Sequence, residues 1–253
     1  MGKRDKKSNV RIILLIIFAV LFLVSATMLI VKLIPKKNEY KEKYKKETSS
    51  VASEVLPDNP IDFAALQGDN ADVIGWIKVD GTVVDYPILM SGIDKQEDYY
   101  IDHDINLSSK KAGSIYVQRL NSNDFSDFNT VIYGHNMANG SMFGTLKKFR
   151  NKNFFNENRY VYIYTPGHIL KYEIISAFVH DDRHLLNSYS FISKEGRQKF
   201  IDICEKPNTL VKNVVDNFSV KDDDRLITLS TCTSADNERY LVVAKLIEDT
   251  KTK

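Results

Sequence analysis

The chain has 253 residues, 35 Lys/Arg against 33 Asp/Glu and two cysteines, which leaves room for one substantial domain plus appendages. The near-neutral total conceals two opposite parts: residues 1–46 carry 12 basic and 3 acidic side chains, and the remainder carry 23 and 30. The larger part is acidic, the wrong sign for a phosphate backbone, and it lacks Walker and dinucleotide glycine motifs, so nothing favours nucleic acid as a partner.

Ile12 to Val31 is a twenty-residue run interrupted only by Ser25 and Thr27, long enough to cross a bilayer core. Val24-Ser25-Ala26 also fits a small-residue cleavage site, but the apolar run continues to Ile34 and favours an uncleaved anchor over residues 12–34. Basic residues flank the run on both sides, so the positive-inside count alone does not orient it. Residues 35–60 form a charged stalk. Tyr40 and Tyr44, four apart, permit a helix there, while Ser49, Ser50, Pro57 and Pro60 end it in loop. The stalk's charge suits anionic headgroups or wall polymers, or a merely solvated spacer.

Beyond Asp62 the apolar pattern is short and punctuated. Strands are expected at Val73–Val79, Val83–Leu89, Gly113–Gln118, Thr130–Tyr133, Tyr160–Thr165, Ile169–Val179, Leu226–Cys232 and Tyr240–Ile247. Eight strands with few helices predict a mainly-β fold, a closed or nearly closed barrel over residues 61–253. Helical spacing is confined to Phe143–Phe149 and Ser193–Glu205, the latter with Phe200, Ile203 and Cys204 on one face.

The last two strands read as a hairpin, with Cys232 ending one and Arg239 starting the other. Paired positions there have Cβ atoms about 5 Å apart. A nearby guanidinium favours thiolate over thiol and can donate hydrogen bonds to a developing oxyanion. A lone strand cysteine is ordinarily a small hydrophobe. Here, however, Thr130–Tyr133 ends in Gly134-His135, which presents a histidine at a strand terminus, and a thiol with a sequence-distant histidine is the pattern of a nucleophile with its acid/base partner.

These residues resemble the sortases, class B in particular. Thr228-Leu229-Ser230-Thr231-Cys232 is similar to the family's T-L-x-T-C signature, and Tyr133-Gly134-His135-Asn136-Met137, running on to Gly140-Ser141-Met142-Phe143, to its histidine segment. Gly75-Trp76-Ile77 and Gly81 to Pro87 look like its opening strands, so the likeness spans about Asp62 to Ile247. The resemblance implies an eight-stranded barrel, an N-terminal transmembrane helix with residues 1–11 cytoplasmic, and an extracytoplasmic catalytic domain. It also implies a helix before the cysteine strand, where Ser193–Glu205 falls. The implied activity is cysteine transpeptidation. Secreted proteins bearing a C-terminal sorting signal like Asn-Pro-x-Thr-Gly/Asn would be cleaved after Thr and joined to a peptidoglycan precursor amine, with no cofactor or metal. In that reading Cys232 is the nucleophile, His135 the acid and base, and Arg239 the oxyanion and backbone holder. Ser230, on the same strand face as Cys232, contacts the peptide. Alternatives are a pilin lysine as acceptor, water as acceptor in a membrane-tethered cysteine protease, and a non-catalytic wall-binding module; the last needs no Cys, His and Arg together.

Other candidate sites carry less. Cys204 is expected to pack, and a Cys204–Cys232 disulfide would consume the nucleophile. His180-Asp181-Asp182-Arg183-His184 pairs two histidines four apart, but the zincin arrangement needs Glu after the first and a helix beneath both, whereas a strand running into a polar turn is expected. Asp222-Asp223-Asp224 reads as a solvated loop lacking the ligand spacing of a calcium site. His103 and His168 have no nameable partner in the sequence.

Overall fold

The computed structural model describes residues 39–45 and 56–253, apart from 234 and 236. The apolar run at 12–34 lies outside the described residues, among which no helix is long and apolar enough to cross a membrane. Lys37–Lys253 forms one compact unit.

Among the described residues nine strands form one sheet: β1 (Val73–Val79), β2 (Asp85–Leu89), β3 (Ile115–Val117), β4 (Asn129–Tyr133), β5 (Tyr160–Thr165), β6 (His168–Asp181), β7 (Lys212–Val214), β8 (Leu226–Cys232) and β9 (Glu238–Lys251). Their order is β5-β1-β2-β3-β4-β8-β9-β6-β7, and β5 pairs with β6 as well, so eight of them close into a barrel with β7 outside the ring. The length of β6 makes this possible. Its first half pairs β5, and Ser176–Phe178 pairs β7 on the same edge, while β9 runs along the other edge throughout. The predicted eight-stranded barrel is therefore the fold. β7 was not expected: three residues with no alternation give no period to read.

Alternation along β8 and β9 sorts their side chains into two cores. Ile227, Leu229, Val242 and Ala244 point into the barrel with Ile77, Ile132 and Ile163. Leu226, Leu241 and Val243 face outward, where Phe200, Ile201 and Cys204 of an external helix meet them. The described helices are α1 (Glu39–Tyr44), α2 (Phe63–Asp69), α3 (Lys152–Glu157), α4 (Leu185–Ser188) and α5 (Lys194–Glu205). The external helix is α5, and Ser193 caps it by accepting the Gly196 N–H, as helix-starting serines do. Ile201 rather than Ile203 completes its buried face, Ile203 being only partly covered. The other expected helix, Phe143–Phe149, is realised as a 3-10 turn over Leu146–Arg150.

The stalk differs from a solvated spacer where it is described. Tyr44 of α1 is buried among Phe63, Leu66, Trp76 and Tyr100, and its hydroxyl donates to Asp69. Lys45 pairs with Asp85 at 2.6 Å, and the same carboxylate accepts the indole N–H of the fully buried Trp76 at 2.7 Å. A stretch that reads as polar in the sequence is thus a strap across the barrel wall, because its charges meet carboxylates supplied by other segments.

Candidate active site

The site is built at one end of β4, β8 and β9. β8 and β9 are antiparallel neighbours in a register that sets Cys232 directly opposite Arg239, as the hairpin reading requires. β4 lies on the other side of β8 and runs parallel to it, Tyr133 pairing with Ser230, so both strands end at the same edge. The chain leaving β4 then passes beside Cys232. Gly134 N–H donates to the Ser230 carbonyl at 3.3 Å, Thr231 Oγ1 donates to the Gly134 carbonyl at 2.7 Å, and Asn136 Nδ2 donates to the Cys232 carbonyl at 3.0 Å. Gly134 is required by closeness: a Cβ there would lie 2.4 Å from Ile115 Cδ1 and 2.8 Å from Phe143.

Three hydrogen bonds therefore stitch the histidine segment to the cysteine strand, and His135 follows as the next residue out. Its Nε2 donates to the Ile101 carbonyl at 2.8 Å, and its own carbonyl accepts Phe143 N–H at 2.9 Å. Cys232, His135, Arg239 and Ser230 all line one cleft of about 200 Å³. Cys232 is exposed, Ser230 is buried in the cleft wall, and Arg239 Nη1 donates to the Glu238 carbonyl at 3.0 Å. A soft nucleophile, an imidazole and a fixed cation facing one cleft can attack a carbonyl, move a proton and hold an oxyanion.

The other candidates lie elsewhere. Cys204 is buried on the inner face of α5, where burial pushes its thiol well above the ordinary range, and both cysteines are free. His103 has partners after all: Nδ1 contacts Asp102 at 2.6 Å and the Tyr99 carbonyl at 2.9 Å, and the ring stacks on Tyr99. His168 meets Asp249 at 2.6 Å, and Arg225 holds the same carboxylate at 2.6 Å. Of the acidic run, Asp222 faces Lys194 at 3.3 Å and Asp224 faces Lys245 at 2.7 Å.

The His180–His184 stretch is the expected end of a strand and turn, but it is not a bland one. Asp181, Asp182, Arg183 and His184 form a wall of the cleft, Arg183 gripping Asp181 through two 2.6 Å hydrogen bonds. His184 Nε2 donates to Gln118 Oε1 at 2.7 Å. Tyr116 and Tyr133, stacked at 5.4 Å, with Ile101, Leu185 and Leu241, are further lining that residue reading missed. Burial raises both phenols' pKa, and the nearby Arg239 charge opposes the rise. Tyr133 sits inside the quoted histidine motif and was findable; Tyr116 carries no local signal.

A model of the Sortase domain matches residues 77–247. The chain belongs to the class B sortases. It is 37% identical over 190 residues to Sortase B of Listeria monocytogenes, covering 72% of each chain. The crystal structure of Clostridium perfringens sortase B superposes with a TM-score of 0.66 at 35% identity, over 74% of this chain and all of that one. A Streptococcus pyogenes class B sortase involved in pilus biogenesis superposes with a TM-score of 0.63 at 27% identity, over 74% of this chain and 98% of that one. This sortase is accordingly a transpeptidase of the family, and its eight-stranded barrel is the sortase fold.

Proposed function

We propose that this sortase is anchored in the membrane through residues 12–34 with its catalytic unit outside the cell, and that it joins secreted proteins to a peptidoglycan amine. The observation that carries the chemistry is the pairing of Cys232 with Arg239 in the β8–β9 register, with His135 delivered to the same cleft by parallel β4. The Cys232 thiolate attacks the Thr carbonyl of an Asn-Pro-x-Thr-Gly/Asn-like signal. The carbonyl π electrons move to oxygen, and Arg239 holds the oxyanion. As the oxyanion collapses the C–N bond breaks, the leaving amine takes a proton from His135, and a thioester to Cys232 remains. The acceptor amine then gives a proton to His135 and attacks the thioester; the C–S bond breaks, the new amide forms and the thiolate returns. Ser230, one step down the same strand face, contacts the peptide. No step calls for a metal or cofactor.

The test is the full chain in detergent with a quenched Asn-Pro-Gln-Thr-Gly peptide and an added amine, products identified by mass. Cleavage after Thr with an amide product, lost in Cys232→Ala, His135→Ala and Arg239→Ala, is expected. Cleavage that survives Cys232→Ala would sink the reading, and carboxylate as sole product under excess amine would make the protein a tethered protease. The similarity to a Streptococcus pyogenes sortase involved in pilus biogenesis favours a second reading, with a pilin lysine as acceptor. Covalent pilin ladders in cells, absent without this chain, would select it. For the orientation, a C-terminal tag modified only by a cytoplasmic enzyme would overturn the proposed placement.

A further inference from the structure

We propose that Gly113 is a positioning residue of the reaction: it allows the Tyr99–Ile101 turn to present the Ile101 carbonyl to His135, which fixes Nδ1 as the ring atom that gives and takes the proton. The inference rests on the acyl-transfer reading above and assigns to it a specific atom and a support far from the thiol.

A carbonyl oxygen has lone pairs and no proton, so the His135 nitrogen 2.8 Å from Ile101 O must be the one bearing hydrogen. A neutral imidazole has a single N–H. With that N–H at Nε2, the lone pair lies on Nδ1, and charging the ring adds its proton there. Nε2 stays bonded to Ile101 through both protonation states, which leaves Nδ1 for the leaving and incoming amines.

The acceptor is held from three sides. Ile101 closes the 3-10 turn Tyr99–Ile101, whose middle ring, Tyr100, is fully buried. The Tyr100 hydroxyl donates to Asp72 Oδ2 at 2.7 Å and accepts from Asn70 Nδ2 at 2.9 Å, and the Tyr100 carbonyl accepts Ser114 N–H at 2.9 Å. On the last side, Gly113 passes against the turn with φ +55°; a Cβ there would lie 2.1 Å from the Ile101 oxygen and 2.7 Å from the Tyr100 oxygen. Both the left-handed backbone and the missing side chain are needed. Any side chain at 113 must push out the carbonyl that orients the imidazole. Gly113 leads through Ser114 into β3, the neighbour of β4, so the residue packed against the acceptor and the histidine are held by adjacent strands.

The first arm of the test is nitrogen-15 NMR of histidine-labelled full-length protein in detergent micelles, with His135→Gln to assign the signal. A neutral His135 with pyrrole-like Nε2 and pyridine-like Nδ1 is expected; the opposite tautomer would overturn the proposal without help from any variant. The second arm is Gly113→Ala, with kcat expressed per folded molecule, the folded fraction being the share of chains that take one label rather than two from a thiol-reactive probe. We expect kcat to fall about 10²-fold, the scale of a misplacement near 1 Å, with KM little changed and the Nε2 signature weakened. A kcat per folded molecule equal to wild type would refute the positioning role. Should Gly113→Ala not fold, Tyr100→Phe, which keeps the buried ring but removes its two hydroxyl bonds, is expected to move kcat and the Nε2 signal in the same direction by less; no movement of either refutes the role. Full activity in His135→Ala would fail the acyl-transfer reading itself, whereas an inactive His135→Ala with the wrong wild-type tautomer fails this inference alone.

Discussion

One cysteine of this sortase packs onto the barrel wall from an external helix, the other belongs to that wall, and they have opposite fates. Cys204 lies on the inner face of α5, in one cluster with Leu226, Phe178 and Val243, while Cys232 continues the outward face of β8 one step past Ser230, where α5 no longer covers it. The same strands supply both environments. What distinguishes them is where the external cover stops: burial holds the Cys204 proton tightly, and the open end of β8 leaves Cys232 exposed beside a guanidinium and an imidazole. Reactivity here is set by the reach of a helix as much as by the residue.

Four experiments probe that contrast. Cys232→Ala should lower amide formation by about 10⁴-fold or more, since removing a nucleophile leaves only binding and oxyanion stabilisation; activity within tenfold of wild type in the peptide assay would end the distinction. Phe200→Ala empties the centre of the cover and should cost about 3–5 kcal/mol of stability, read from urea unfolding midpoints at constant slope. Arg239→Ala should reduce kcat by about 10²–10³-fold with unchanged melting, the cost of one lost oxyanion donor. Cys204→Ala should cost only about 1–2 kcal/mol and leave kcat unaltered.

The contrast also has a pH signature. The folded state binds the Cys204 proton more tightly than the unfolded state does, because burial raises that thiol's pKa. The associated stability is complete below the unfolded thiol pKa of about 8.5 and is lost as pH rises above it. Alkylation at roughly pH 9 followed by mass measurement should therefore find one label on the folded chain, at Cys232, and two in urea. Rapid double labelling of the folded chain would show that the cover is not closed.

Much of this was legible before the structure. β5 and β8 were read to the residue because each alternates cleanly between two environments, and the cleft's four named side chains were found because strand ends and a hairpin register are local properties. What escaped was set at long range. Lys45 looks solvated until Asp85, 40 residues on, meets it, and His168 gains Asp249 across 81 residues. α2 and α3 are single short helices of 7 and 6 residues, too brief for a periodic signal. The wall formed by Asp181 to His184 was read as a turn because nothing in its composition tells which cleft a turn will border.

The parallel pairing of β4 with β8 has a consequence in time. Thr231 Oγ1 closes on the Gly134 carbonyl across 97 residues, and Arg239 arrives only with the final hairpin. Contacts of such separation are late and slow to form, because loop closure must precede any return from the contact. A growing chain that has made its histidine segment has no partner thiol for most of its remaining synthesis, and a finished but unfolded chain has both groups without bringing them together. The enzyme is therefore born silent. Its acyl-transfer chemistry switches on with the last cooperative step of folding, when there is a cleft to receive a substrate.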